Sequence, residues 1–185
     1  PVKRALGKHL AVIVTIATAL TFTAFAQADE KLRIGFQKSS TLIAVLKTQG
    51  TLERELNKQG ISVSWHAFPS GLPLLESLNV VNIDLTAAVA DTVPVFAQAA
   101  GARLTYFARE APSPSAQAIV VHNDSKLSSL ADLKGRKVAV TKAAGSHYLL
   151  IAALQSAGLK FSDIEPAYLT PADGRAAFEN RKVDA

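Results

Sequence analysis

The sequence has neither cysteine nor methionine among its 185 residues, and its single tryptophan belongs to an aromatic fraction of only 6%. The absence of cysteine excludes disulfides, thiol redox chemistry, thiolate-bound zinc, iron–sulfur clusters and a cysteine nucleophile. Hydrophobic residues make up 49% of the chain and charged residues 19%, which is the composition of a globular protein. A chain of this length can bury a sizeable core without covalent crosslinks.

The first 28 residues have the layout of a secretory signal peptide. A basic cluster within residues 3–8 precedes the uncharged run Leu10–Phe25, and small residues follow at Ala24–Ala28. The uncharged run is shorter than the roughly 20 residues that a membrane-spanning helix requires, and the small residues match a signal-peptidase site. We therefore expect export to a bacterial periplasm with removal of residues 1–28. A retained membrane anchor is the alternative.

The net charge of +5 is largely a property of this leader. The leader contains three of the 20 Lys and Arg residues and none of the 15 Asp and Glu residues, so the remaining chain has a net charge of +2. Its basic residues are scattered and form no stripe interleaved with aromatic residues, which a phosphate backbone would require. We therefore expect no nucleic-acid partner.

From Lys31 onward, short stretches of β-branched or aromatic residues alternate with longer amphipathic stretches. This alternation predicts an α/β fold with parallel strands covered by helices on both faces. The predicted strands are Leu32–Phe36, Val63–Phe68, Ile83–Ala87, Leu104–Ala108, Ala118–Val121, Lys137–Val140 and Ile164–Leu169. The predicted helices are a segment from Thr41 to near Gly50, then Leu52–Lys58, Leu72–Val81, Thr92–Ala100, Leu127–Leu133, Ser146–Ala157 and a last one capped by Thr170.

A stretch dense in proline and serine divides this alternation into two parts. Residues 111–117 include Pro112 and Pro114, which fit neither a helix nor a central strand. We predict that this stretch is a hinge crossing between lobe one, residues 29–110, and lobe two, residues 118–185. Val183–Ala185 is predicted to begin a further strand.

Five junctions between a predicted strand and the next helix are rich in small and hydroxyl-bearing residues. They are residues 37–41, 69–71, 88–92, 143–147 and 170–172. Ligands of open α/β sheets bind beyond the carboxyl ends of the strands, where helix N-termini offer free N–H groups to an anion. For any one of these residues, simple helix capping is the alternative interpretation.

Sequence patterns typical of enzymes are missing. The chain has no phosphate-binding loop, no dinucleotide-binding fingerprint and no nucleophile elbow. The spacing of His66, His122 and His147 matches no zinc site. Ser146 and His147 are adjacent at a predicted helix start, where neighbouring side chains diverge, so they do not form a catalytic pair. We therefore expect no metal, no cofactor and no catalysis.

Several stretches resemble the substrate-binding proteins of ABC importers for aliphatic sulfonates, which are close to those for taurine and nitrate. The matching stretches are LRIGFQK at 32–38, GTLE at 50–53, PVFAQAAG at 94–101, ADLKGRKV at 131–138, GSHYLL at 145–150 and PADGRAAF at 171–178. FAQAAG and GSHYLL together are the most specific to the sulfonate group.

The resemblance implies a periplasmic-binding-protein type II fold, with two α/β lobes around a ligand cleft. Members of the family are longer, so it also implies that the chain is truncated at the C-terminus, and the absence of an initiator Met indicates an incomplete start. Its implied partners are an alkanesulfonate or related oxyanion and a cognate ABC permease with its ATPase, and we expect a monomer. The alternatives within the fold are a binding protein for taurine, nitrate or another small oxyanion, a pyrimidine-precursor synthase-like enzyme, and a signalling receptor domain.

A sulfonate is ionised at every physiological pH and presents three acceptor oxygens, so it needs fixed donors and no proton-transfer partner. We expect ligand-binding residues where the donor-rich junctions and the resemblance coincide. These residues are Gln37, Ser39, Ser40, Thr41, Gly71, Asp91, Thr92, Gly145, Ser146, His147 and Tyr148. Gly71 would let backbone approach the ligand closely, and Tyr148 would form a wall of the cleft. Asp91 would either cap its helix or favour a zwitterion such as an aminosulfonate.

Overall fold

The computed structural model describes residues 30–185, so the predicted signal peptide lies outside the described residues. The strands in this range are β1 (Glu30–Gln37), β2 (Ile61–Phe68), β3 (Leu85–Thr86), β4 (Lys137–Val140) and β5 (Glu165–Tyr168). The helices are α1 (Thr41–Gln49), α2 (Thr51–Asn57), α3 (Gly71–Asn79), α4 (Thr92–Ala99), α5 (Gly145–Ser156) and α6 (Pro171–Glu179). Short 3-10 turns occur at Pro114–Ala116, Leu130–Leu133 and Phe161–Asp163. No helix within residues 30–185 combines the length and the hydropathy needed to cross a bilayer.

The first part of the chain, lobe one, is built on a parallel sheet with the strand order β2-β1-β3. Strands β1 and β2 pair along their whole length, and Gln37 at the end of β1 lies beside Phe68 at the end of β2. The helix starts that follow both strands therefore lie at the same edge of the sheet. Ligands of open α/β sheets bind at the edge where the parallel strands end, so this edge is the expected binding site.

Lobe one has its own hydrophobic core between the sheet and helices α3 and α4. Leu74, Leu75, Ile83, Val93 and Ala97 form one buried cluster. Leu78 of α3 also packs against this cluster, and Leu74, Leu75 and Leu78 lie one and four residues apart, so they share one face of the helix, which is buried.

The second part of the chain, lobe two, is built on the parallel pair β4 and β5, in which Val140 lies beside Tyr168. Helix α5 covers this pair, and Leu150 and Leu154 pack with Val138 in a second core that is separate from the first. Helix α6 begins with the predicted cap, because the Thr170 hydroxyl accepts the N–H of Asp173 at 3.3 Å.

Two predicted strands are wrong. Leu104–Ala108 and Ala118–Val121 have no regular secondary structure, and Tyr106 and Phe107 are 75% and 74% exposed. A strand needs a neighbour to satisfy its backbone groups, and β-propensity does not supply one. Among the described residues, no strand pairs with either segment.

Smaller differences concern element length. The strand predicted at Ile83–Ala87 is reduced to Leu85–Thr86, and the helix predicted at Leu127–Leu133 is only the 3-10 turn Leu130–Leu133. In that turn, the Asp132 carboxylate accepts the Ser129 N–H at 2.8 Å and closes a capping box. Val183–Ala185 is not a regular strand, although the Asp184 N–H donates to the Lys137 carbonyl of β4 at 2.7 Å.

Candidate functional site

A cleft of about 330 Å³ lies where the two lobes face each other. Residues from the carboxyl ends of β1 and β2 line one wall, and residues from the junction between β5 and α6 line the other. The lining residues are Gln37, Lys38, Ser39, Ala67, Phe68, Pro69, Thr170, Pro171 and Ala172. Three of the five donor-rich junctions therefore border one cavity.

The junction between β1 and α1 supplies the predicted residues that lie closest to this cleft. Gln37 and Ser39 line the cavity, and Thr41 is the exposed first residue of α1. Ser40 is the N-cap residue of α1 and is only 4% exposed, yet its hydroxyl makes no capping bond and has no partner among the described residues. A buried hydroxyl without a partner is uncommon, because it loses the hydrogen bonds that water would give it.

The junction before α4 also contains a buried hydroxyl group without a hydrogen-bond partner. Thr92 is the first residue of α4, and its buried Oγ1 has no partner within the described part of the chain. Asp91 is the exposed N-cap residue, and its carboxylate makes no capping bond. The capping alternative for Asp91 is therefore wrong in this structure, and its selection of a zwitterion stays a prediction. The Gln37 side chain reaches this junction, because its Nε2 donates to the Ala88 carbonyl at 3.4 Å.

Gly71 has a packing role that accounts for the absence of a side chain. It is the buried first residue of α3, and a Cβ at this position would lie 3.0 Å from a methyl of Val89 and 3.2 Å from a methyl of Val93. The backbone of Gly71 thus lies against the junction before α4. A contact between Gly71 and a ligand stays a prediction.

The predicted residues of lobe two begin helix α5, beside lobe one. Gly145 is the first residue of α5, and a Cβ placed on it would lie only 2.8 Å from the Cβ of Ala90. The start of α5 therefore touches the junction before α4 across the two lobes. Ser146 and Tyr148 are exposed, and neither lines the 330 Å³ cleft.

His147 lies inside lobe two, beneath the start of α5. Its Nδ1 accepts the Ala143 N–H at 3.2 Å, and its ring lies 5.0 Å from the Phe161 ring and 5.8 Å from the Tyr168 ring, centroid to centroid. Burial lowers the pKa of His147, and the nearby Lys142 ammonium lowers it further. The imidazole is therefore neutral at neutral pH and carries its proton on Nε2.

Seven of the cleft-lining residues were not among the predicted site residues. They are Lys38, Ala67, Phe68, Pro69 and the pair Pro171–Ala172 with the adjacent Thr170. The sequence contains a signal for most of them, because they lie in the donor-rich junctions 37–41, 69–71 and 170–172. The apolar residues among them offer no side-chain donor, and side-chain donors were the basis of the predicted site.

The three histidines in the described range have separate partners. The His66 ring lies 3.0 Å from the Ser64 hydroxyl. His122 Nε2 donates to the Phe178 carbonyl at 2.9 Å, and the His122 ring stacks on the Phe178 ring. Within residues 30–185, no group of three or more His, Cys, Asp or Glu side chains is arranged to hold a metal ion.

Comparison with known proteins gives consistent matches over most of the chain. The model of the family described as NMT1/THI5 like matches residues 57–185. An aliphatic sulfonates-binding protein of Escherichia coli (strain K12) is 48% identical over 174 residues, which are 92% of this chain and 54% of that protein. The chain spans about half the length of the curated relatives it matches.

Two solved structures match the fold as well as the sequence. The periplasmic aliphatic sulphonate binding protein SsuA from Escherichia coli is 50% identical with a TM-score of 0.69, and the match covers 84% of this chain and 49% of that one. The alkanesulfonate-binding protein SsuA from Xanthomonas axonopodis pv. citri, bound to MOPS, is 44% identical with a TM-score of 0.76, covering 83% and 52%. These matches confirm the predicted type II periplasmic-binding-protein fold with its two α/β lobes.

Proposed function

Because the chain belongs to the NMT1/THI5-like family, we propose that it is part of the substrate-binding protein of an ABC importer and that it captures an aliphatic sulfonate. The relatives that resemble it are sulfonate-binding proteins, and the function proposed here is binding without chemical conversion. The proposed cellular location is the periplasm, reached through the signal peptide at residues 1–28.

One observation carries this proposal: the cleft lies at strand ends and helix starts whose donors are almost all uncharged. Gln37 and Ser39 line the cleft, and the buried hydroxyls of Ser40 and Thr92 lack partners among the described residues. A sulfonate needs several fixed donors and never takes up a proton at physiological pH, so amides and hydroxyls suit it. The start of α1 adds free backbone N–H groups and the positive end of a helix dipole.

Lys38 is the single formally charged residue among the described residues that line the cleft. Its side chain is exposed at the edge of the site, so its attraction for an anion is screened by solvent and salt. In our proposal Lys38 helps to attract the anion, and the neutral donors hold it. Binding should therefore depend only weakly on salt concentration.

The apolar part of the cleft supports an organic sulfonate over a bare oxyanion. Phe68 and Pro69 border the cavity from lobe one, and Pro171 and Ala172 border it from lobe two. Burial of an alkyl chain against such walls gains about 25 cal/mol for each Å² removed from water. Sulfate and nitrate have no group that could use this surface, and the charged ammonium of taurine would lose hydration there.

We propose that the ligand bridges the two lobes and favours their closure, with residues 111–117 acting as the hinge. A ligand that contacts both walls binds the closed form more tightly and shifts the population toward it. The closed form would then be presented to a cognate permease and its ATPase. The protein is proposed to act as a monomer.

Calorimetry on the intact protein tests this function. Alkanesulfonates of increasing chain length, including MOPS, should bind with affinity that increases with the buried chain, whereas sulfate and nitrate should bind far more weakly. No reaction product should form on prolonged incubation. Preferential binding of sulfate, nitrate or taurine would contradict the substrate assignment, and formation of a product would contradict the transport function.

A further inference from the structure

Two alanines at facing junctions adopt a backbone conformation that residues with a Cβ rarely adopt. Ala88, before α4, has φ of 57°, and Ala143, before α5, has φ of 59°. Such left-handed residues are usually glycine, and other residues keep this conformation only where their surroundings hold it. Strained backbone of this kind concentrates at binding sites.

The side chain of His147 holds Ala143. The Ala143 N–H donates to Nδ1 of His147 at 3.2 Å, across one turn at the start of α5. Nδ1 can accept this bond only when it carries no hydrogen, so the proton of the neutral ring lies on Nε2. Phe161 and Tyr168 pack against the ring and restrict its orientation.

The conformation of Ala143 decides where α5 begins. Gly145 follows two residues later, and its backbone lies so close to Ala90 of lobe one that a Cβ would come within 2.8 Å of the alanine Cβ. A change of the Ala143 dihedrals would move Gly145 relative to lobe one. The bond between His147 and Ala143 therefore acts on the contact between the lobes.

We propose that His147 is a positioning residue, which fixes the start of α5 against lobe one by accepting the Ala143 N–H and does not itself contact the ligand. The effect on binding rests on the sulfonate-binding function proposed above, whereas the hydrogen bond and its tautomer do not. This role replaces direct ligand contact, which the sequence had suggested for this histidine.

Protonation of His147 removes the acceptor. The titratable and charged groups that face the ring are Lys142 from the preceding turn and the Tyr168 phenol from β5, and Phe161 adds a neutral ring. Lys142 also lies over the Tyr168 ring, with Nζ 5.9 Å from the centroid. An imidazolium has N–H on both nitrogens, so in acid the Ala143 N–H loses its partner and ligand affinity should fall.

Two substitutions at position 147 distinguish the contribution of the hydrogen-bond acceptor from that of the aromatic ring. His147→Phe keeps an aromatic ring against Phe161 and Tyr168 but cannot accept a hydrogen bond. His147→Asn loses the ring but can place its Oδ1 close to the position of Nδ1. We expect His147→Phe to weaken binding of MOPS, measured by calorimetry on the intact protein, by about three- to tenfold, which is the usual effect of one lost hydrogen bond. His147→Asn should lose less of its affinity for MOPS than His147→Phe.

A double variant that adds Ala143→Gly to His147→Phe should regain part of the lost ligand affinity. Glycine adopts positive φ without strain, so the turn no longer needs the acceptor and affinity should recover at least in part. The affinity of the unsubstituted protein should also decline in acid, as the pH falls through the lowered pKa of His147, and that of His147→Phe should not. Equal affinity of His147→Phe and the unsubstituted protein, or no difference between the Phe and Asn variants, would overturn the proposal.

Nitrogen NMR of the unsubstituted protein tests the geometry without any ligand. We expect the neutral tautomer with hydrogen on Nε2 and slow exchange of the Ala143 amide proton. A proton on Nδ1 at neutral pH would overturn the inference even if the variants fail to fold. Failure of the unsubstituted protein to bind any sulfonate would contradict the proposed function, and the tautomer would still decide the role of His147.

Discussion

Gly145→Ala provides a sharp test of how closely the two lobes approach. The added Cβ would lie 2.8 Å from the Cβ of Ala90, whereas two carbon atoms in favourable contact are about 3.5–4.0 Å apart. The lobes would have to separate by about 1 Å, or α5 would have to shift within lobe two. Overpacking of this kind costs about 1–3 kcal/mol. The better helix propensity of alanine offsets up to about 1 kcal/mol of that cost.

The expected result is a specific loss of ligand affinity. If the remaining cost of about 1–2 kcal/mol acts on the closed form, sulfonate binding measured by calorimetry should weaken about five- to thirtyfold. Because each lobe has its own core, the urea unfolding midpoint of the protein should change little.

Gly174→Ala is the matched control, because this glycine also lies in a helix of lobe two. A Cβ there would meet the Cβ atoms of Ala139 and Leu169 at 3.8 and 3.9 Å, which is ordinary contact. We expect it to leave affinity unchanged and to stabilise the protein by about 0.5–1 kcal/mol. Adding Ala90→Gly to Gly145→Ala removes the opposing methyl group and should restore binding. Unchanged affinity in Gly145→Ala, or no recovery in the double variant, would refute the reasoning.

Three further predictions concern other parts of the chain. Ser146→Ala should weaken sulfonate binding by about 0.5–3 kcal/mol, as for the loss of one hydrogen bond to a charged partner, and unchanged affinity in calorimetry would remove Ser146 from the site. Gly35→Ala should destabilise the protein by about 1–3 kcal/mol in urea unfolding, because the new Cβ overlaps the buried Ile83 side chain, and a change under about 0.5 kcal/mol would contradict this packing. The Trp65 indole N–H donates to Glu53 at 2.6 Å and lowers the pKa of that carboxyl, so the stabilisation is present at neutral pH and is lost as pH falls through the lowered value. Urea unfolding followed by Trp65 fluorescence should show this acid loss in the unsubstituted protein and a smaller one in Glu53→Gln, and identical pH profiles would exclude the effect.

Local sequence signals predicted most of the fold because they report interactions between near neighbours. The end of α1 at Gly50, which has φ of 59°, and the start of α6 at Thr170 follow from cap chemistry within a few residues. The segments Leu104–Ala108 and Ala118–Val121 could not be settled in this way, because a strand depends on a partner distant in sequence.

The candidate site was predicted in part for the same reason. Gln37 and Ser39 were predicted at the cleft because they follow a strand, and parallel strands end at one edge of a sheet. The role of His147 depends on an unusual φ at Ala143 and on two rings packed around it. A pattern of residue types does not contain that information, so the histidine was expected in contact with the ligand.

A crystal structure of the intact protein with a bound alkanesulfonate tests the central claim most directly. The account predicts that the sulfonate oxygens lie within hydrogen-bond distance of amide N–H and hydroxyl groups at the starts of helices α1, α4 and α5, with the alkyl chain against Phe68 and Pro171. A sulfonate gripped mainly by the ammonium of Lys38, or bound away from the cleft between the lobes, would contradict it.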